Sequence, residues 1–110
     1  LVSATTGPTN TVYTATGEVS GTNYTAGGVS VTNANTAGLT STTAFWSPSA
    51  NIVFTTVTLT TSFDAVMLYS TTDSNRNLGV FVFGATTISA GTLTLTTPTH
   101  DSTSGLLRFT

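Results

Sequence analysis

Much of this chain reads in steps of two, with apolar residues either separated by polar ones or turned alternately to two sides. Val29 and Val31 are separated by Ser30 and followed by Thr32, Leu93 and Leu95 sit among Thr92, Thr94 and Thr96, and Ala65, Met67 and Tyr69 interleave with Val66 and Leu68. A repeat of two turns successive side chains to opposite sides of an extended backbone, whereas a helix needs apolar positions three and four apart. No segment has convincing helical periodicity, so the chain is confined to strands and turns.

The densest apolar stretch is Phe63 to Phe83, where AVMLYS and LGVFVF flank the polar loop TTDSNRN. Ala65, Met67 and Tyr69 share one face, Val66 and Leu68 the other, and Val80 and Val82 oppose Phe81 and Phe83. Both faces of this hairpin are apolar, which predicts a central position or cover by a partner chain. Short strands are also expected at Val12–Ala15, from Val29 to Thr32, at Thr43–Ser47, at Ile52–Thr61, at Thr92–Thr97 and at Gly105–Phe109. In the Ile52 strand, Val53, Val57 and Leu59 are assigned to one face and Ile52, Phe54, Thr56, Thr58 and Thr60 to the other. Phe45 and Trp46 are adjacent, so one is predicted inward and its neighbour toward a surface or interface, before Pro48 ends the strand. With Gly and Asn at the turns, seven to eight short strands predict an antiparallel β-sandwich or a jelly-roll-like barrel. Residues 12–110 read as one domain, preceded by an extended arm over residues 1–11.

Composition narrows the chemistry. The 110 residues hold four acidic side chains, two arginines and no lysine, for a formal charge of -2. Duplex binding needs several cations to displace counterions from phosphates, and Arg76 and Arg108 are too few, so nucleic acid is not an expected partner. No apolar run approaches the roughly 20 residues that span a bilayer as a helix, so no membrane is expected either. The start, LVSATTGPTN, lacks the basic opening and apolar centre of a signal peptide, and without Met it reads as processed or trimmed. The absence of Cys excludes disulfides and thiolate metal sites but leaves the compartment open. About a quarter of the chain is Thr. A surface of Thr, Ser, Asn and Gly carries little electrostatic opposition to self-association, which suits a protein that lives in an assembly.

No catalytic, cofactor or metal site is expected. His100 and Asp101 lie in a turn, and a hydrolase triad would still need a positioned nucleophilic Ser and an oxyanion hole. Asp73, Ser74 and Asn75 offer oxygen ligands in a loop but lack the further acidic groups of a calcium motif, so they read as a solvated turn. Asp64 reads as a strand-end cap or as a partner of Arg76 or Arg108. Asn23-Tyr24-Thr25 fits a glycosylation acceptor.

The order YTAGG (Tyr24 to Gly28), AFWSP (Ala44 to Pro48), FDAVMLYSTT (Phe63 to Thr72) and VFVFGATTISAGTLTL (Val80 to Leu95) resembles small β-rich structural proteins of tailed bacteriophages, including cyanophages. The resemblance spans roughly residues 24 to 109. It implies a virion protein, a head decoration or cement protein on the outer surface of the capsid, partnered by the major capsid protein and by itself as a homotrimer. On that reading Leu1, Val2, Pro8 and Asn10 in the arm are candidates for the capsid contact. Trp46, Phe54, Met67, Tyr69, Phe81 and Phe83 are candidates for self-association or the core. Two other readings stay open: a tail, fibre or baseplate module, and a carbohydrate-binding or cell-surface module, for which Trp46, Tyr13, Tyr24 and Tyr69 would form an exposed aromatic cluster.

Overall fold

The computed structural model describes residues 1–3 and 9–110. Among the described residues the fold is all-β and sandwich-like, with 45% strand in three antiparallel sheets, none of them a closed barrel. The strands are β1 (Gly21–Thr22), β2 (Gly38–Thr40), β3 (Thr43–Trp46), β4 (Ile52–Leu59), β5 (Phe63–Ser70), β6 (Arg76–Thr86), β7 (Gly91–Leu95) and β8 (Leu107–Phe109). They assemble in the orders β1-β4-β7, β2-β3-β8 and β5-β6. Two compact units emerge, Leu1–Gly28 with Thr55–Leu93, and Val29–Phe54 with Thr94–Thr110, where the sequence suggests one domain after an arm.

The first unit is built on the predicted hairpin. Strands β5 and β6 pair Ala65 with Val82, Val66 with Phe81 and Met67 with Val80. Ser74 and Asn75 turn the loop with φ of 50° and 59°, and Asn is among the residues that tolerate such angles best. Two bulges interrupt the ladder. Between Leu68 and Tyr69 the partner jumps from Gly79 to Asn77, leaving Leu78 extra, and between Phe63 and Ala65 it moves from Thr86 to Val82. Phe63, Ala65 and Leu68 are buried, while Val82 is 62% exposed and Phe83 40%.

The arm expected over residues 1–11 does not stand off from this unit at its described residues. Val2 N donates to Ala65 O at 2.9 Å, Ala65 N returns to Val2 O at 3.0 Å, and Ser3 N reaches Gly17 O at 2.8 Å. Leu1 and Val2 are buried core residues, because the open edge of β5 supplies the backbone partners that extended chain needs. Residues 10–13 run beside the start of β6, with Tyr13 N to Asn75 O at 2.8 Å and Asn77 N to Thr11 O at 2.9 Å. Val12 forms a bridge to Arg76 rather than the expected strand.

Strand β4 departs from the predicted faces. Thr55 and Thr56 are both exposed, and Phe54, Val57 and Leu59 are buried, with Val53 left at 41% exposure. Thr56 has a φ of 51°. Two consecutive outward residues are a β-bulge, which exchanges the faces on either side of it. The bulge is held at both backbone atoms, since Thr56 N donates to Thr92 Oγ1 at 3.2 Å and Asn23 Nδ2 donates to Thr56 O at 3.0 Å. The expected strand at Val29–Thr32 is absent, and Thr32 O instead accepts from Ser49 N at 3.2 Å.

Candidate interaction surface

In the second unit Phe45 and Trp46 lie on opposite faces of their sheet, as adjacent strand residues must, but both are half-buried, so neither is the fully inward member of the pair. Gly38 pairs with Phe45 across β2 and β3, and a Cβ on Gly38 would collide with the Phe45 ring. The ring also meets His100, with centroids 5.1 Å apart. A Cβ on Gly105 would come within 3.1 Å of Phe45 Cβ, so the loop before β8 closes over the same face.

That loop is organised by Ser47 and Asp101. Ser47 is fully buried; its N donates to His100 Nδ1 at 3.1 Å, and its Oγ donates to Thr99 O at 3.3 Å and accepts from Leu106 N at 2.9 Å. Asp101 Oδ1 accepts from Thr103 Oγ1 at 2.7 Å, Thr103 N at 2.8 Å and Ser104 N at 2.6 Å. Those hydrogen bonds, the Thr103 hydroxyl first, hold the Asp101 carboxyl below its ordinary pKa. Ser47 and His100 therefore join the end of β3 to the loop before β8, and Asp101 braces that loop internally: Ser47 Oγ is committed to backbone groups, and His100 Nδ1 accepts from a backbone amide.

The opposite face of the same sheet is apolar, open at Leu39 and Phe109 and half-buried at Ala44, Trp46 and Leu107. Leu39 pairs with Ala44, and Ala44 with Phe109, so the three form one row across β2, β3 and β8. Trp46 and Leu107 form the next row on that face. Leu39 is 73% exposed and Phe109 69%. Trp46 is half-buried, its Nε1 donating to Asn33 Oδ1 at 3.2 Å and Asn35 O at 3.3 Å. None of the five residues is charged, and the alternation of β8 turns Arg108 to the other face, where its Nη1 donates to Thr103 O at 2.9 Å.

The tyrosines are spent inside the first unit. Tyr13 and Tyr69 stack at 4.7 Å. Glu18 accepts from Tyr13 Oη at 2.6 Å, Tyr24 Oη at 2.9 Å and Gly27 N at 2.8 Å, and Tyr69 Oη donates to Gly27 O at 2.8 Å. The Leu1 ammonium donates to Tyr24 Oη at 2.9 Å, and burial lowers its pKa. The Glu18 hydrogen bond pushes the Tyr13 phenol up to about 12, and burial followed by Glu18 pushes Tyr24 up as well.

Of the sequence candidates, Leu1 and Val2 are core, so their side chains do not face outward as the capsid contact reading requires. Asn10 O accepts from Asn77 Nδ2 at 2.8 Å, and Pro8 lies outside the described residues. Phe54 is buried, while Met67, Tyr69 and Phe81 are half-buried. Phe83 packs edge-on against Phe63 at 5.5 Å. The sequon residue Asn23 is engaged in the bulge, and Asp73 pairs with Arg76 at 2.8 Å across the exposed loop. Sequence reasoning passed over Glu18 and Leu39. A single Leu between Gly38 and Thr40, in an otherwise polar stretch, was the available sign of an exposed apolar side chain.

A comparison of the chain with family models, curated proteins and solved structures finds no match.

Proposed function

We propose that this chain is a structural virion protein, a head decoration protein that binds the outer surface of the major capsid shell as a homotrimer and stabilises it. The resemblance in strand order and motifs supports the reading, and the observation that carries it is the pair of exposed apolar side chains Leu39 and Phe109, set on either side of Ala44 in one row. Exposed apolar residues grouped on a sheet face mark contact surfaces, and the side chains most open to chemistry are tied into the fold. A protein that binds the assembled shell and not its dissociated subunits stabilises the shell by mass action, with modest contacts summed over many copies. The tyrosines named by the carbohydrate-binding reading are stacked on one another or bonded to Glu18, which weighs against them as a sugar platform.

The test is the number of copies per purified particle, relative to the major capsid protein, by quantitative mass spectrometry. Hundreds of copies are expected. A handful would transfer the chain to the tail, and absence from particles would remove both viral assignments.

A further inference from the structure

We infer that His100 is a pH-sensitive latch. As a neutral imidazole it holds the loop before β8, residues 96–106, against the end of β3, and on taking up a proton it releases that loop. The inference is independent of the virion reading.

The contact fixes a charge state. Ser47 N donates to His100 Nδ1 at 3.1 Å. A ring nitrogen that accepts a hydrogen bond keeps its lone pair, so the neutral imidazole carries its proton on Nε2. An imidazolium has hydrogen on both nitrogens and can accept nothing. Protonation therefore sets one N–H group against another. Ser47 is fully buried, so while the loop is shut its amide has no water to turn to, and an orphaned buried donor is the costly case.

The neighbouring groups make that contact decisive for the loop. Ser47 Oγ donates to Thr99 O at 3.3 Å and accepts from Leu106 N at 2.9 Å, so the same residue holds the loop on both sides of His100. The loop's own bonds, Asp101 N to Thr99 O and Gly105 N to Asp101 O, both at 3.0 Å, are internal to it. The His100 ring and Gly105 also cover Phe45. Opening at Ser47 thus frees the loop as one piece and uncovers that ring.

Few other charges intervene. His100, Asp101 and Arg108 are the ionisable side chains of the second unit. Asp101, on the loop, is bound by Thr103 and Ser104. Arg108, on β8 opposite Phe45, donates to Thr103 O. Strands β2 and β3 bring no charge. Carboxylates and guanidinium groups stay ionised well above and below neutrality, so His100 alone changes charge as the solution turns mildly acid. The closed loop favours the neutral ring and the open one accepts the proton, so the latch is held at neutral pH and lost as pH falls through about 6.5, where imidazoles ionise.

The experiment is amide exchange by NMR on the whole chain from about pH 7.5 to 5, corrected for intrinsic exchange, with the imidazole nitrogens followed in the same samples. An imine-type Nδ1 and a pyrrole-type Nε2 are expected at the neutral end. As the ring protonates, Ser47 and Leu106 are expected to lose protection together, by about tenfold or more. Leu59, whose amide donates to Ile88 O in the first unit, must keep its protection. Reading residue by residue also sets apart the Leu1 ammonium, whose pKa burial lowers. His100→Asn offers Oδ1 as an acceptor that does not titrate, so Ser47 is expected to stay protected throughout. His100→Ala is expected to leave it unprotected at both ends. Should neither variant fold, the wild-type spectra decide alone. A pyrrole-type Nδ1 at the neutral end, a Ser47 amide equally protected across the range, or pH dependence that survives in His100→Asn would each overturn the inference.

Discussion

Thr56 adopts a conformation that β-branched residues avoid, with φ at 51°. The strain of a left-handed L-residue is about 1–2 kcal/mol, and the hydrogen bonds from Asn23 and to Thr92 hold it in place. Asn tolerates that conformation, so Thr56→Asn is expected to raise stability by up to about 1 kcal/mol in urea titration. Ser47 marks the opposite case. Its hydroxyl is buried between Thr99 O and Leu106 N, so Ser47→Ala is expected to cost about 1–3 kcal/mol. The Tyr13 phenol gives a pH signature. Its folded pKa, about 12, lies above the ordinary 10, so the stabilisation is fully present below pH 10 and disappears as pH rises to about 12. Tyr24 shifts in the same direction. The expected result is a midpoint that falls from pH 10 upward, less steeply in Tyr13→Phe, read by denaturant titration across that range.

At the scale of the strands, legibility followed regularity. The hairpin β5–β6 was readable because apolar alternation met a loop of turn residues. Strand β4 was readable in place but not in its faces, because the bulge at Thr55–Thr56 exchanges them and nothing in alternating Thr says where an extra residue falls. The Val29–Thr32 strand was expected from a pattern that is real but lacks a ladder partner. Phe45 and Trp46 could be assigned to opposite sides from adjacency alone. What each would meet was not legible, because Phe45 packs against Gly38, Gly105 and His100, one on a partner strand and two in a distant loop. The Glu18 cluster draws together residues 13, 18, 24, 27 and 69, and no local pattern encodes such a meeting. Gly38→Ala tests the face assignment: its methyl meets the Phe45 ring, with an expected loss of about 1–3 kcal/mol by chemical denaturation.

For the molecule as a whole, the first residues matter more than their position suggests. Val2 is 2% exposed and bonded to Ala65. Val2→Asp would bury an unpaired carboxylate there, so it is expected to cost about 3 kcal/mol or more, or to prevent folding, as measured by the unfolding midpoint. Each unit is also assembled from two separate stretches of chain, Leu1–Gly28 with Thr55–Leu93 and Val29–Phe54 with Thr94–Thr110. On a translating ribosome, then, neither unit can close early. Val2 must wait for Ala65 to be synthesised, and the second unit waits for Thr94–Thr110. Such long-range closure places refolding in the millisecond-to-second range typical of all-β chains. Until the chain has been made as far as Leu93, the apolar hairpin strands are open to the chaperones and to other nascent copies around them.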